Sequence, residues 1–372
     1  MSTNRTTEAG KIIRAAIDGD HGARGIIKSH VMGTPTSYLE SFSTSDLVQT
    51  FTVAVNQQTE QQYADMPRVW DKIAKRNQFS DFREQEVVEF DWNKPLDVVE
   101  QAGRQVVPGG LAVVPEGTEY PTFGYSTAER RVKLHKHGAR MPFLFEYVIN
   151  DQWNILNSLP AELNKKALQT EEIEIGLQLV NQDGIRPDVF SGVAAPSNRA
   201  LTLDALRDAK TEVAYRQVNG RYVRVNKWAL VVPTTLKDVA QDVLSITSYD
   251  TTVEEGGETR TFRKNVSNGD VELVVMDVLL DIDQSASAPT TWFLVPAGGS
   301  DGTRDSLVQN FLTGHETPEL RVHGNTGNYL GGGAVDFKQG SFLNDDLQYR
   351  VRHIVTGSVS HNDALFASTG TD

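Results

Sequence analysis

The sequence predicts an α+β protein, and three features support that prediction. The stretch Met141–Gly184 carries the longest helical pattern, with apolar residues three and four positions apart. Before it, alternating apolar and charged residues near 88–92 and 131–135 predict two strands joined by a long segment rich in glycine and proline. After it, short apolar runs alternate with amphipathic stretches. We therefore expect a hairpin, a long helix, and a mixed block of strands and helices.

Length, composition and charge restrict the class of protein. The chain has 372 residues, which predicts two or three domains. Its net charge of −13 argues against a protein whose main task is to grip nucleic acid. The absence of cysteine excludes disulfides, thiolate metal sites and a cysteine nucleophile. No stretch has the apolar length of a signal peptide or a membrane-spanning helix, so we expect the chain to fold first in the cytosol.

The N-terminal part and the hairpin come first in the chain. Residues 1–43 are either a mobile tail or an arm that orders on a partner, and the sequence leaves both alternatives open. A helix is expected over Thr44–Tyr63 and a short one after Pro67. The hairpin that follows has too little apolar content for a core of its own, and an isolated hairpin is marginal in water. It must therefore rest on its own domain or on a neighbouring subunit.

The second half of the long helical stretch, Leu159–Asn181, is predicted to be a helix buried on more than one side, although Gly176 weakens the pattern. Ser158 is its expected N-cap, Pro160 fits the first turn, and Gly184 is the expected stop. A second helix is expected from Thr202, as its cap, to Ala214. The remaining predictions are a buried strand at 228–233, a helix at 236–244 capped by Thr234 or Thr235, a polar loop or hairpin at 248–267, strands at 271–282 and 291–295, a short helix at 305–312, a glycine-rich loop at 322–333 and a strand at 347–359.

The sequence offers no convincing catalytic or metal site. His135 and His137 lie two apart on a strand, a spacing that can hold a metal, but no third ligand is evident and we expect a solvated strand face. Asp277, Asp281 and Asp283 are expected to form an ordinary turn rather than a cation site. No residues combine as acid, base and nucleophile. We therefore predict no enzymatic activity, no cofactor and no metal.

The order of the elements resembles that of a major capsid protein of a tailed bacteriophage of the Hong Kong 97 type, over about residues 45–365. In that family a two-stranded extended loop precedes a long spine helix, as Val87–Pro142 precedes Phe143–Asn181 here. Further matching residues are Glu146, Gln182-Asp183-Gly184 with Gln in place of the family's first Gly, Leu201, Thr202, Leu206, and Tyr349-Arg350-Val351-Arg352.

The resemblance implies a division of the chain and a function. Its domains would be an N-terminal arm at 1–86, the extended loop at 87–142, the spine helix and peripheral domain at 143–225, the axial domain at 226–340, and a C-terminal return to the peripheral domain at 341–372. The protein would be a structural subunit of an icosahedral capsid, forming hexamers and pentamers around a double-stranded DNA genome. It would reside in the virion and assemble in the host bacterial cytoplasm.

The same resemblance implies partners. The N-terminal segment is short and has no coiled-coil pattern, so we expect a separate scaffolding protein or none, with a portal and decoration proteins as further partners and no membrane. No Lys lies between Pro95 and Arg131, which argues against covalent cross-linking of the loop. The residues predicted to contact neighbouring subunits are Val106, Val107, Leu111, Val113, Val114, Tyr120, Phe123, Arg130 and Arg131.

Two alternatives remain open from the sequence. A cellular encapsulin-type shell subunit would hold cargo proteins instead of a genome. A soluble hydrolase or binding protein would be a monomer or small oligomer, with the glycine-rich segments as site loops.

Overall fold

The computed structural model describes residues 63–95, 114, 116–117, 123–144, 153–218, 221–255, 258–265, 268–298, 305–323 and 346–371. The strands are β1 Ala74–Phe79, β2 Gln85–Pro95, β3 Phe123–Val132, β4 His135–Leu144, β5 Val180–Asn181, β6 Gly184–Ile185, β7 Gln217–Val218, β8 Arg221–Tyr222, β9 Trp228–Val232, β10 Ser248–Glu255, β11 Glu258–Asn265, β12 Val271–Val275, β13 Trp292–Pro296, β14 Leu307–Leu312, β15 Glu319–His323, β16 Asp346–Val359 and β17 Phe366–Ser368. The α-helices are α1 Trp153–Leu179, α2 Leu203–Tyr215, α3 Lys237–Ser245 and α4 Val278–Ile282, and short 3-10 helices lie at Trp70–Lys72, Gly192–Ala194 and Thr234–Leu236. This mixture of helices and strands confirms the α+β prediction.

The chain divides into two compact units. The first consists of Met1–Pro67, Lys136–Thr170 and Gly314–Ile354, and the second of Arg68–His135, Glu171–Thr313 and Val355–Asp372. In the first unit, β15 pairs antiparallel with the N-terminal half of β16. None of the described helices combines the length and apolarity needed to cross a bilayer.

A four-stranded sheet in the order β12-β9-β13-β17 forms the centre of the second unit. Trp228, Leu230 and Val232 of β9 pack into a hydrophobic cluster with α2 and α3. Ala229 and Val231 face a second cluster, which includes the C-terminal end of α1. Because both faces of β9 are buried, its sequence is a continuous apolar run instead of an alternating one. The strand predicted there is confirmed.

A second group of strands in this unit joins β1 and β14 to the C-terminal half of β16. β1 lies parallel to β14, and β14 lies antiparallel to residues 355–359 of β16. All six residues of β14 are buried. The prediction of a short helix at 305–312 was therefore wrong. With both faces of this segment buried, its polar side chains need hydrogen-bond partners, and the neighbouring strands supply them. Asn310, for example, donates from Nδ2 to the carbonyl oxygen of Thr356 over 3.1 Å.

Helix α1 lies directly against β16 at Gly357. A Cβ built on Gly357 would lie 2.7 Å from the carbonyl carbon of Glu174 and closer still to its oxygen, so only glycine fits. Polar contacts reinforce this approach: the Gly357 N–H donates to Glu174 Oε2 (3.3 Å), and Gln309 Nε2 donates to the Glu171 carbonyl (3.3 Å). The indole N–H of Trp70, which is fully buried, donates to Glu171 Oε2 over 2.7 Å.

The predicted helix ends were partly right. Thr202 accepts the N–H of Ala205 and caps α2, as predicted. Ser158 lies inside α1, which begins at Trp153, so its prediction as a cap was wrong. Thr234 and Thr235 do not cap α3, because their hydroxyls bond to Asp277 and to the Pro289 carbonyl.

Other local predictions had mixed outcomes. The strand predicted over 271–282 is β12 followed by α4, whereas the predicted polar hairpin at 248–267 forms as β10–β11 and the long strand at 347–359 forms as β16. Residues 322 and 323 belong to β15 instead of the predicted loop. The helix expected over Thr44–Tyr63 and the rest of the glycine-rich loop fall almost wholly outside the described residues. The domain boundaries stay a prediction.

Replacing Gly357 with alanine should destabilise the second unit severely. The new methyl group meets backbone atoms of Glu174, which cannot rotate away, so we expect a loss of about 3 kcal/mol or more. Equilibrium unfolding in guanidinium chloride measures this loss. Gly269→Ala is the matched control, since its Cβ would meet nothing within 4 Å. Equal midpoints for the two variants would contradict the close approach.

Candidate assembly surface

The extended hairpin predicted before the long helix is present. β2 and β3 pair antiparallel, with Gln85 opposite Val132 at the base and Pro95 opposite Phe123 at the outer end. The register shifts between Glu86 and Val88 and between Asp91 and Pro95, as at β-bulges, which twist a ribbon and bend it. Eleven residues of β2 at about 3.4 Å each give a ribbon of roughly 37 Å. We call this ribbon the arm.

The base of the arm is fixed to the second unit. Val132 and Leu134, at the end of β3 and just after it, are buried. The next residue, His135, donates its backbone N–H to Thr356 Oγ1 over 2.7 Å. Thr356 precedes Gly357, the residue on which α1 rests. The arm therefore begins next to the contact between β16 and α1.

A cavity of about 390 Å³ lies at the base of the arm. Gln85 and Val132 line it on the arm side. Lys75 and Asp305 form an ion pair of 2.7 Å at its wall, so the two opposite charges there are matched. The other lining residues are Asn77, Phe79, Val308, Asn310, Ser358, Ser360 and His361. Among them, Asn77, Asn310, Ser358, Ser360 and His361 have side chains that can donate and accept hydrogen bonds.

The structure describes only part of the predicted contact surface. Phe123, Arg130 and Arg131 belong to β3, and the Arg131 side chain is exposed. Val114 is half-buried. The residues outside the described part of the chain are Val106, Val107, Leu111, Val113 and Tyr120. The role of all nine residues in subunit contacts stays a prediction.

The residues considered as metal ligands have other neighbours. Asp283 accepts the N–H of Ser285 over 2.8 Å, as in a turn. Within the described ranges, Asp277, Asp281 and Asp283 do not bring three ligand atoms together. A ring nitrogen of His135 and a carboxylate oxygen of the buried Glu174 lie within 4.8 Å of each other. The sequence did not reveal this neighbour because more than thirty positions separate the two residues.

Four carboxylates, those of Asp71, Glu171, Glu172 and Asp277, form an acidic cluster near residue 171 of helix α1. Burial raises the pKa of Glu172. The nearby negative charges of Asp277 and Glu171 raise it further, and a hydrogen bond from the backbone N–H of Val69 opposes the increase. Burial likewise raises the pKa of Asp71, in spite of nearby guanidinium groups. Burial therefore makes the charged form of each of these two carboxylates less favourable in the folded chain than in the unfolded chain.

Comparison with known proteins gives one family. A family model described as phage capsid protein matches residues 127–367, about two thirds of the chain. None of the curated proteins matches the sequence.

Several solved structures resemble the chain at low sequence identity. A virus-like particle from Pyrococcus furiosus has a TM-score of 0.42 and 10% identity, covering 84% of this chain and 97% of its own. The SrpI encapsulin of Synechococcus elongatus has a TM-score of 0.42 and 13% identity, covering 82% and 88%. The Microbacterium phage Oxtober96 structure has a TM-score of 0.44 and 11% identity, covering 80% and 88%. With TM-scores below 0.5, these likenesses establish neither fold nor function.

Glu172→Gln should stabilise the protein at pH 7. The folded chain binds the Glu172 proton more readily than the unfolded chain, so the free energy of unfolding falls as pH rises from the ordinary pKa of 4.5 through the raised value. Glutamine has no carboxyl group to ionise, so the variant does not lose stability in this pH range. Its higher melting temperature relative to wild type should vanish below about pH 4.5. Glu162→Gln, an exposed residue on the same helix, should show no such gain. An advantage for Glu172→Gln that persists in acid would contradict the prediction.

Proposed function

The chain belongs to the phage capsid protein family and is a structural subunit of a capsid, and on that premise we propose that its copies form hexamers and pentamers that close into an icosahedral shell around double-stranded DNA. The prediction of a tailed-phage capsid protein is thus met at the level of the family. The shell symmetry, the genome and the virion setting belong to the proposal.

The arm is the observation that carries this proposal. A two-stranded ribbon of this length is marginal in water unless one of its faces is covered. Its base is held by buried residues and by the His135–Thr356 hydrogen bond, so the base gives the arm a fixed direction. An arm that covers a neighbouring copy buries apolar area that a lone subunit leaves wet. Permanent interfaces of this kind bury roughly 2,000 Å² or more.

Charge supports the same proposal. A net charge of −13 suits a container whose wall must not adhere to the DNA it encloses. We propose that the subunit has no catalytic role, and that a separate scaffolding protein, a portal and decoration proteins are its partners during assembly in the host cytoplasm.

Electron microscopy of the purified protein, with size-exclusion chromatography, tests the proposal directly. Closed shells, or rings of five and six copies, are the expected result. If shells contain protein cargo and exclude DNA when made in infected cells, the encapsulin-type alternative replaces the viral one. A chain that stays monomeric even when it is produced with the scaffolding protein would overturn the proposal.

Shortening the arm should abolish assembly and leave the fold intact. Because Pro95 and Phe123 are already cross-strand partners, residues 96–122 can be replaced by an Asn-Gly turn that closes the ribbon. The shortened chain should unfold at nearly the wild-type temperature yet form no closed shells. Glu116→Gln, an exposed residue in the replaced segment, should assemble normally. Closed shells from the shortened chain would show that this segment makes no essential contact.

A further inference from the structure

The short hairpin β7–β8 presents an exposed aromatic face. Gln217 pairs with Tyr222, and the Val223 N–H donates to the Arg216 carbonyl over 3.0 Å. Arg216 and Val223 are buried, so the alternate positions turn outward. Tyr222 is 56% exposed, and Tyr215, directly before the hairpin, is 74% exposed. We call the set Tyr215, Gln217, Tyr222 and Arg224 the tyrosine face.

The tyrosine face lies in a locally basic stretch of an acidic chain. Residues 214–228 contain four basic side chains, at Arg216, Arg221, Arg224 and Lys227, and no acidic one. Arg224 is exposed, and no ion pair holds it within the described part of the chain. Tyrosine and arginine are enriched in the buried centres of protein interfaces. Charge complementarity therefore calls for a partner surface that is acidic and contains some apolar area.

The chain itself carries such a surface on helix α3. Ala240 and Val243 turn inward, which leaves Asp238, Val239 and Asp242 outward. Val239 is 43% exposed, and neither aspartate has a basic partner in the described residues. We call Asp238, Val239 and Asp242 the acidic face.

The two faces lie toward opposite edges of the central sheet of the second unit. Helix α3 contacts β9 and β12, and β12 is one edge strand. On the other side, Arg216 Nη1 donates to the carbonyl oxygens of Asp363 (3.0 Å) and Leu365 (2.6 Å), which lie within the three residues before the opposite edge strand β17. Two different complementary surfaces on opposite edges are what a head-to-tail contact around a ring requires.

We propose that the tyrosine face of one copy binds the acidic face of the next copy around each hexamer and pentamer, with Arg224 paired to Asp242. This inference rests on the proposed capsid function and names two surfaces that build its rings. A second copy fits better than DNA, because the acidic face sets the exposed side chain of Val239 beside two carboxylates, whereas a duplex keeps its bases stacked and presents mainly phosphates and sugars.

Charge reversal tests the pairing. Arg224→Glu places two acids together, and Asp242→Arg places two bases together, so each variant should yield at least about tenfold fewer closed shells than wild type. The double variant restores an opposite pair in every contact and should recover to within about twofold. Lys166→Glu, which makes the same charge change on α1 outside both faces, is the control. Thermal unfolding of the unassembled chains should be unchanged, since all the substituted residues are exposed.

The outcomes separate this inference from the function on which it rests. If wild type forms shells and both reversals also form them in normal yield, the pairing is wrong and the capsid function stands. Failure of the double variant, while the control assembles, also overturns the pairing. If both reversals assemble normally and Arg224→Glu alone encloses less DNA, the pairing is wrong and the tyrosine face is a nucleic-acid contact. If wild type never assembles, the capsid function itself fails.

Discussion

Helix α1 meets strand β16 at Gly357 with no side chain between the two backbones. That contact sets how near the long helix lies to β14 and the C-terminal half of β16, and the neighbouring side chains depend on that distance. Gln309, opposite Gly357 in the register of β14, reaches the Glu171 carbonyl, and Trp70 reaches the carboxylate of the same residue. A helix displaced by a methyl group would separate these buried donors from their acceptors, which costs about 1–3 kcal/mol for each group left unpaired.

The arm depends on the same strand. Thr356, next to Gly357, accepts the N–H of His135 where β3 leads into β4, and its carbonyl accepts from Asn310. The packing of the helix and the base of the arm therefore share two consecutive residues. For a shell subunit this arrangement has a clear use, because an arm that covers a neighbour must leave a rigid base at a defined angle. Loose packing there would spread the arm over many directions and raise the entropic cost of each contact.

The central sheet of the second unit separates two hydrophobic clusters. The helices that cover one face of this sheet also carry exposed charged side chains on their outer surfaces. Helices α2 and α3 cover one face of the sheet through Leu206, Val213 and Ala240. The same helices carry or adjoin the tyrosine face and the acidic face. Residues that stabilise the monomer thus fix the spacing between surfaces that would join copies. Many individually modest contacts of this kind can close a shell cooperatively.

The sequence by itself determined the elements whose signals are local. The alternation of β2, the Thr202 cap of α2, the apolar run of β9 and the order of hairpin, long helix and mixed block follow from side-chain period and backbone preference. Tertiary structure decided the rest. The residues of β14 suggested a short helix when the chain was read locally. They form a strand because β1 and β16, which are distant in sequence, pair with it and satisfy its polar groups. Thr234 and Thr235 resemble caps, but Asp277 and Pro289 compete for their hydroxyls. The sequence does not distinguish Gly357 from the other glycines among the 30 in the chain, because the need for glycine there arises only from its contact with α1. In each case the deciding partner lies tens to hundreds of positions away, and only the folded chain brings the two groups within hydrogen-bond or van der Waals distance.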